Sequence, residues 1–105
     1  MPHRLSPAAE LELDEIWLYV ARRSGSVEIA DRLIESIAQR FLILARQPHL
    51  GRRRDHDLSP GLRTFPAGEY VIVYRQAIGP DGDSEVVILN VIHGGRNLVA
   101  HHRGR

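Results

Sequence analysis

The stretch GLRTFPAGEYVIVYR, residues 61–75, decides the fold because it predicts two strands folded back on each other. Its first half ends at the break Pro66-Ala67-Gly68, and its second half contains the run Tyr70–Tyr74. That run is β-branched and aromatic, as strands favour. Proline has no N–H to donate, so the first strand is either an edge strand or ends at Pro66. We expect this hairpin to form the sheet that the helices cover.

Two helices are predicted before the hairpin. Ser6 is a good N-cap with Pro7 at the first helical position, and Gly25 ends the helix. Ser26 is a second N-cap, and apolar residues then keep the helical period until Pro48 ends the pattern. Because only about two residues join the helices, they must lie antiparallel as a helical hairpin.

The rest of the chain completes an antiparallel meander. We expect strands at residues 62–65, 70–76 and 85–93, a short N-terminal strand at residues 2–5, and a polar loop at residues 51–61. The nearly continuous apolar run EVVILNVIH is typical of a central strand. The predicted fold class is therefore α+β: a short N-terminal strand, an antiparallel helical hairpin packed on an antiparallel β-sheet meander, and a basic C-terminal tail at residues 96–105.

The helical hairpin can cover only one face of this sheet. We see no further element in the chain for the other face, so we expect that face to need a partner or to be polar. The length of 105 residues indicates a single domain, residues 1–105, with a tail that is flexible in this interpretation.

Composition excludes several classes of function. The chain has no cysteine, which excludes a disulfide framework, a thiol nucleophile and a cysteine zinc site. No apolar run approaches the ~20 residues that span a membrane, and the N-terminus does not read as a signal peptide. We therefore expect a cytoplasmic protein without a membrane partner. All 14 basic residues are Arg, yet the net charge of +1 is too balanced for a general nucleic-acid coat.

Four segments together carry a resemblance to a known family. They are LSPAAELELDEIWLYVA at residues 5–21, ILARQPHLGR at 43–52, GLRTFPAGEYVIVYR at 61–75 and VVILNVIHGGRN at 86–97. Their order and spacing resemble the ParE branch of the RelE/ParE toxins of type II toxin–antitoxin operons, over nearly the whole chain.

This resemblance implies a small toxin that uses no cofactor and forms a hetero-oligomer with a cognate antitoxin. ParE-type antitoxins usually carry a ribbon-helix-helix DNA-binding part, so DNA would be contacted only indirectly. Several ParE members poison DNA gyrase, whereas RelE members cut mRNA on the ribosome. Because both branches share the fold, fold alone cannot choose between a gyrase inhibitor, a ribosome-dependent mRNA interferase and a non-toxic antitoxin-binding module.

Each hypothesis has its own candidate residues. The candidates for contact with gyrase are Arg63, Arg75, Arg96, Asn97, His101, His102 and Arg103. The candidates for contact with the antitoxin are Tyr70, Tyr74 and Arg75. A RelE-like endoribonuclease would need a base and several cations around one phosphodiester. Its catalytic candidates are Arg63, Arg75, His93 and Arg96. The terminal segment has no Tyr and the chain has no Lys, which disfavours this alternative.

Ordinary structural roles compete with these functional ones. Arg63 could pair with Glu69 or be solvated, and His93 could simply make a hydrogen bond near the sheet. Tyr70 and Tyr74 have the same parity and could form a packing face. The run Arg52-Arg53-Arg54 precedes two aspartates and predicts a self-compensating loop, with a phosphate or acidic partner as the alternative. His101-His102 lacks further ligands, so we expect no metal site.

Overall fold

Two helices lie on one face of a five-stranded sheet in the computed structural model, which describes residues 3–95. The helices are α1 (Pro7–Ser24) and α2 (Val27–Arg46), followed by a 3-10 turn at Pro48–Leu50. The strands are β1 (His3–Leu5), β2 (Arg52–Arg53), β3 (Arg63–Ala67), β4 (Tyr70–Ile78) and β5 (Ser84–His93). They lie in the order β1-β5-β4-β3-β2, with β1 parallel to β5 and the other neighbours antiparallel. The predicted α+β class is confirmed.

The helix boundaries follow from the predicted caps. The Ser6 hydroxyl accepts a hydrogen bond from the Ala9 N–H at 3.0 Å, and the Ser26 hydroxyl accepts one from the Ile29 N–H at 3.2 Å. Gly25 ends α1 with φ of 70°, in the left-handed region that glycine tolerates. Between the helices, the Trp17 indole N–H donates to the Asp31 carboxylate at 2.7 Å.

Strand β3 passes through its proline instead of ending there. Pro66 pairs in register with Val71 of β4, while β2 on the other side pairs only with Arg63 and Thr64. Pro66 therefore lies on an edge stretch of the sheet, where its missing N–H costs no ladder hydrogen bond. Strand β2 itself was not predicted, because its residues belong to the polar stretch that we expected to be a loop.

A β-bulge in the last strand lets both of its ends contribute to the helix-side core. Val73 pairs with Asn90 whereas Tyr74 pairs with Ile88, so Leu89 is the extra residue of β5. The bulge shifts the alternation by one residue. As a result Ile88 and Val91 both pack in the core beneath the helices.

The second face of the sheet is partly covered by the chain itself, so the expectation that nothing would cover it was wrong. Leu58 and Leu62 pack against Val73 and Ile92 there. The loop that carries Leu58, residues 54–62, is closed by polar contacts. The Arg53 guanidinium binds the Asp55 carboxylate at 2.6 Å, Asp55 also accepts the Gly61 N–H at 2.9 Å, and Arg54 pairs with Asp57. Polar patterning alone could not reveal that a charged loop would carry a leucine onto the sheet.

These contacts make the loop sensitive to acid. The Gly61 N–H and the Arg53 guanidinium hold the pKa of Asp55 below its usual range, and the Arg54 guanidinium does the same for the pKa of Asp57. A lowered folded-state pKa adds stability above the unfolded value of about 3.9, and this stability is lost as pH falls through the folded value. We expect the double variant Asp55→Asn/Asp57→Asn to be less stable than the parent chain at about pH 7, and this difference to be smaller at about pH 3, below the unfolded value.

Urea denaturation at both pH values measures this difference. A stability gap of the same size at both pH values would contradict the proposed role of the two carboxylates.

Candidate functional site

An open groove lies between the helical hairpin and one end of the sheet. Its volume is about 1160 Å³. We call it the helix–sheet groove, and its lining residues are Glu12, Glu15, Ile16, Tyr19, Val20, Arg23, Ser24, Ile29, Leu33, Gly68, Glu69, Tyr70, Val91, Ile92 and His93. The walls are mainly apolar, while charged side chains from α1 and from the β3–β4 turn lie at the rim. This arrangement suits an amphipathic protein segment.

Tyr70 and His93 lie together at the sheet end of the groove. Their rings meet edge to face with centroids 5.6 Å apart. Tyr70 is 8% exposed, and its burial, followed by the nearby Glu69 charge, raises the pKa of its hydroxyl. His93 accepts the Gly95 N–H at its Nδ1 atom at 3.1 Å, while the Gly94 N–H donates to the Glu69 carbonyl at 2.7 Å. His93 therefore makes the hydrogen bond that its ordinary structural role requires.

The backbone of β5 forms part of the groove. The Val91 N–H donates to the Glu12 carboxylate at 3.0 Å, so it points away from β4. In an antiparallel ladder the groups of every second residue point the same way. The Val91 carbonyl and the His93 N–H therefore also point away from β4, toward the groove that both residues line. Of these two residues His93 is exposed and Val91 is buried, so the His93 N–H is the peptide group that the groove offers beside its apolar walls.

Arg63 has a role that neither of our sequence-based alternatives included. Its guanidinium donates to the Gly51 carbonyl at 2.9 Å and to the His49 carbonyl at 3.4 Å, and lies 3.3 Å from the His49 Nδ1 atom. It therefore holds the turn after α2 against the sheet rather than pairing with Glu69 or being solvated. Sequence patterns carry no signal for a guanidinium that binds backbone carbonyls.

Tyr74 fastens the same turn from within the core. Its side chain is fully buried, and its hydroxyl donates to the Pro48 carbonyl and accepts from the Gly51 N–H, both at 2.8 Å. Burial raises the pKa of this hydroxyl, an effect that the Gly51 N–H and the Arg63 charge partly oppose. A Cβ atom at Gly51 would overlap the Tyr74 hydroxyl, so glycine is needed there. Tyr74 therefore presents no surface to a partner.

Arg75 lies on the opposite face of the sheet from Arg63. Arg63 is in register with Tyr74 on the helix side, and Arg75 is the next residue along β4, so its side chain alternates to the second face. It stands in a row with Val87 and Arg4, and Arg4 is paired with Glu85 at 2.6 Å. Within residues 3–95 the exposed Arg75 makes no hydrogen bond or ion pair.

The structure thus separates the candidate residues that lie within its described range. His93 is in register with Tyr70, and Arg63 is in register with Tyr74. Because Tyr70 and Tyr74 are four residues apart on β4, His93 and Arg63 are separated by about 13 Å along the strand direction. The antitoxin candidates are also dispersed: Tyr70 lines the groove, Tyr74 is in the core and Arg75 is on the second face. The remaining candidates, Arg96, Asn97, His101, His102 and Arg103, lie outside the described residues.

In the arginine-rich loop the positive charges of Arg53 and Arg54 are compensated as predicted, because they pair with Asp55 and Asp57. Among residues 3–95 no group of three His, Asp or Glu side chains could hold a metal ion. No helix in the same range is both long and apolar enough to cross a membrane.

The apolar groove residues were missed as site residues because helical periodicity assigns Ile16, Val20 and Leu33 simply to the core. The available signal was the width of the apolar face of α1, which exceeds what the sheet can cover. Glu12 was missed as well, although an acid within an apolar helical face is a recognisable feature.

The helical hairpin on this sheet, beside which the open groove lies, is an architecture that a solved structure shares. A solved chain described as the chromosomal ParDE TA system from P. aeruginosa has the same fold, with a TM-score of 0.71 over 89% of this chain and 95% of that chain, at 22% identity. Residues 4–98 match the family model of the ParE toxin of type II toxin-antitoxin system, parDE. The chain belongs to this ParE toxin family.

Curated relatives agree with this assignment. Toxin ParE1 of Caulobacter vibrioides is 34% identical over 100 residues, covering 95% of this chain and 96% of the relative. Toxin RelE3 of the same organism is 34% identical over 89 residues, covering 85% of this chain and 89% of the relative. The chain is therefore a ParE-type toxin of the RelE/ParE superfamily, with similarity to a toxin named for the other branch.

The two hydrogen bonds of the Tyr74 hydroxyl can be tested with a matched pair of variants. Tyr74→Phe leaves the buried Gly51 N–H and Pro48 carbonyl without their shared partner, so we expect a loss of about 1–3 kcal/mol in unfolding free energy. Tyr70→Phe is the control, because the Tyr70 hydroxyl makes no hydrogen bond within residues 3–95, and it should change stability by less than about 1 kcal/mol. Chemical denaturation of the two variants and the parent chain makes the comparison. Equal losses of unfolding free energy in both variants would contradict the stabilising role of the Tyr74 hydroxyl.

Proposed function

We propose that this ParE toxin inhibits DNA gyrase by binding it, without catalysing a reaction, and that a ParD-like antitoxin of the ribbon-helix-helix type neutralises it. The helix–sheet groove carries the antitoxin part of the proposal. Family membership supports gyrase as the target, since several ParE toxins poison that enzyme. The toxin would act in the cytoplasm and would meet DNA only through the antitoxin or gyrase.

The groove supports binding of an amphipathic segment of the antitoxin. Ile16, Val20 and Leu33 offer an apolar wall that an antitoxin side chain can bury. Arg23 at the rim offers a cation for an acidic residue of the antitoxin, and the N–H of the exposed His93 offers a hydrogen bond. Within the set that we drew from the sequence, Tyr70 is the residue best placed for this contact. Arg75, on the second face, remains a candidate for the contact with gyrase.

The dispersal of the candidate catalytic residues supports a mechanism without catalysis. Cleavage of a phosphodiester needs a base within hydrogen-bond reach of the 2′-hydroxyl and cations close to the same phosphate. Arg63 already donates to two backbone carbonyls, Arg75 is on the other face, and His93 is distant from Arg63 along the sheet. These three side chains could not surround one phosphate without rebuilding the sheet.

A ribosome-dependent mRNA interferase is the second candidate, favoured by the similarity to a relative named Toxin RelE3. This alternative predicts that His93→Ala abolishes RNA cleavage without weakening the binding of the antitoxin. A non-toxic antitoxin-binding module is the third, and harmless expression of the folded chain at high level would support it.

The groove proposal is tested by two exposed residues in the first turn of α2. Ile29 lines the groove and is 48% exposed, whereas Val27 does not line it and is 56% exposed. Ile29→Glu places a charge where the antitoxin segment would lie, so we expect the dissociation constant of the complex to rise about tenfold or more. Val27→Glu adds the same charge to the same turn and should change it less than about twofold.

Calorimetric titration of purified toxin with the co-encoded antitoxin measures both constants. If both variants bind as tightly as the parent chain, the antitoxin does not use the helix–sheet groove.

The target is tested by inducing the chain alone in a bacterial host and pulse-labelling DNA and protein synthesis separately. Gyrase inhibition predicts that DNA synthesis falls first, because supercoiling is needed for replication, and that the purified chain blocks supercoiling by gyrase. Deletion of residues 96–105 should abolish this effect while leaving antitoxin binding through the groove. An earlier fall in protein synthesis would overturn the gyrase proposal in favour of the interferase.

A further inference from the structure

Strand β1 covers only the first part of the outer edge of β5, and the C-terminal end of β5 extends past it. Strand β1 pairs only with residues 86–88, and the chain then turns into α1. Where β1 ends, side chains and loop residues bind the edge of β5 in place of a strand. Ser6 is the first of these: its N–H donates to the Ile88 carbonyl at 2.9 Å and its hydroxyl donates to the Leu89 carbonyl at 2.7 Å. The second is Glu12, which accepts the Val91 N–H at 3.0 Å.

Glu12 makes a second contact with the same strand. One carboxylate oxygen lies 3.2 Å from the Asn90 amide nitrogen and the other lies 3.4 Å from it. Glu12 is 7% exposed and Asn90 is 5% exposed, so these contacts are shielded from water. Hydrogen bonds to a carboxylate are stronger than neutral ones, and the loss of their acceptor would leave buried donors unsatisfied.

The contact between Glu12 and Val91 lies near the end of β5, just before the turn at Gly94 and Gly95. Two residues after Val91 comes His93, whose ring packs on Tyr70, and the Gly94 N–H then bonds the Glu69 carbonyl. The bulge at Leu89 makes this part of β5 irregular, so the ladder to β4 alone defines it less well than a regular strand. A carboxylate from α1 supplies the missing restraint from the other side.

We propose that Glu12 is a positioning residue of the toxin. It fixes the end of β5 and thereby the point at which the chain leaves the sheet after Gly95. Its importance for toxicity rests on the proposed function, in which residues 96–105 contribute to the contact with gyrase. This role differs from that of Glu10, an exposed acid of the same helix that does not line the groove.

The experiment compares the full-length chain with three variants. Glu12→Ala removes both acceptors. Glu12→Gln keeps one carbonyl oxygen for Val91 but loses the charge and the second acceptor. Glu10→Gln makes the same change at an exposed position of the same helix that does not line the groove, and it serves as the matched control. Amide hydrogen exchange at Val91 is measured relative to Ile72 in the centre of the sheet, and growth inhibition is measured at matched toxin levels.

We expect Glu12→Ala to accelerate exchange at Val91 about tenfold or more, to leave Ile72 within about twofold, and to reduce growth inhibition about tenfold. Glu12→Gln should fall between Glu12→Ala and the parent chain in both measurements, which keeps the test valid if the alanine variant does not fold. Glu10→Gln should match the parent chain.

Unchanged exchange at Val91 in both Glu12 variants would overturn the proposal. Faster exchange with full toxicity would also overturn it, because Glu12 would then be structural only. If the parent chain itself proves harmless, the proposed function fails separately. The exchange data alone then decide whether Glu12 holds the strand.

Discussion

The pairing of β1 with β5 is the constraint on which the rest of the structure depends. It joins residues 3–5 to residues 86–88, so the sheet is complete only when both ends of the chain have come together. Closing so long a loop costs chain entropy, which the burial of apolar side chains between sheet and helices must offset. Because α1 begins directly after β1, the pairing also fixes where that helix starts. Ser6 and Glu12 are thereby placed against β5.

The same geometry creates the groove. The helical hairpin extends past the short strand β1, and the part of α1 beyond that strand faces the end of β5 across the groove. An apolar wall therefore stands opposite a stretch of peptide backbone, which suits a protein segment better than a small polar substrate. In contrast, the candidate nuclease arginines of residues 3–95 do not converge, because Arg63 holds the turn after α2 and Arg75 lies on the other face of the sheet.

Much of the fold could be predicted because local signals were strong and agreed with one another. The serine caps, Gly25 and the helical period placed both helices, and the hairpin at residues 61–75 formed as expected. The candidate site could be predicted far less well. Arg63 and Arg75 were grouped because both are arginines near one hairpin, yet strand alternation and the pairing of Arg63 with Tyr74 put them on opposite faces. Tyr70 and Tyr74 do share a face, but one lines the groove and the other is enclosed by the turn after α2.

By itself the sequence determined the class of fold, the limits of the helices, the family and the exclusion of cysteine chemistry, because these depend on residue identity and on contacts within a few residues. Only the tertiary structure decided the parallel place of β1, the bulge at Leu89, the cover that Leu58 provides and the groove between hairpin and sheet. Each of these depends on which distant segments meet and on how far a short strand extends. The role of Glu12 is of the same kind, since its partners, the Asn90 side chain and the Val91 N–H, lie nearly eighty residues further along the chain.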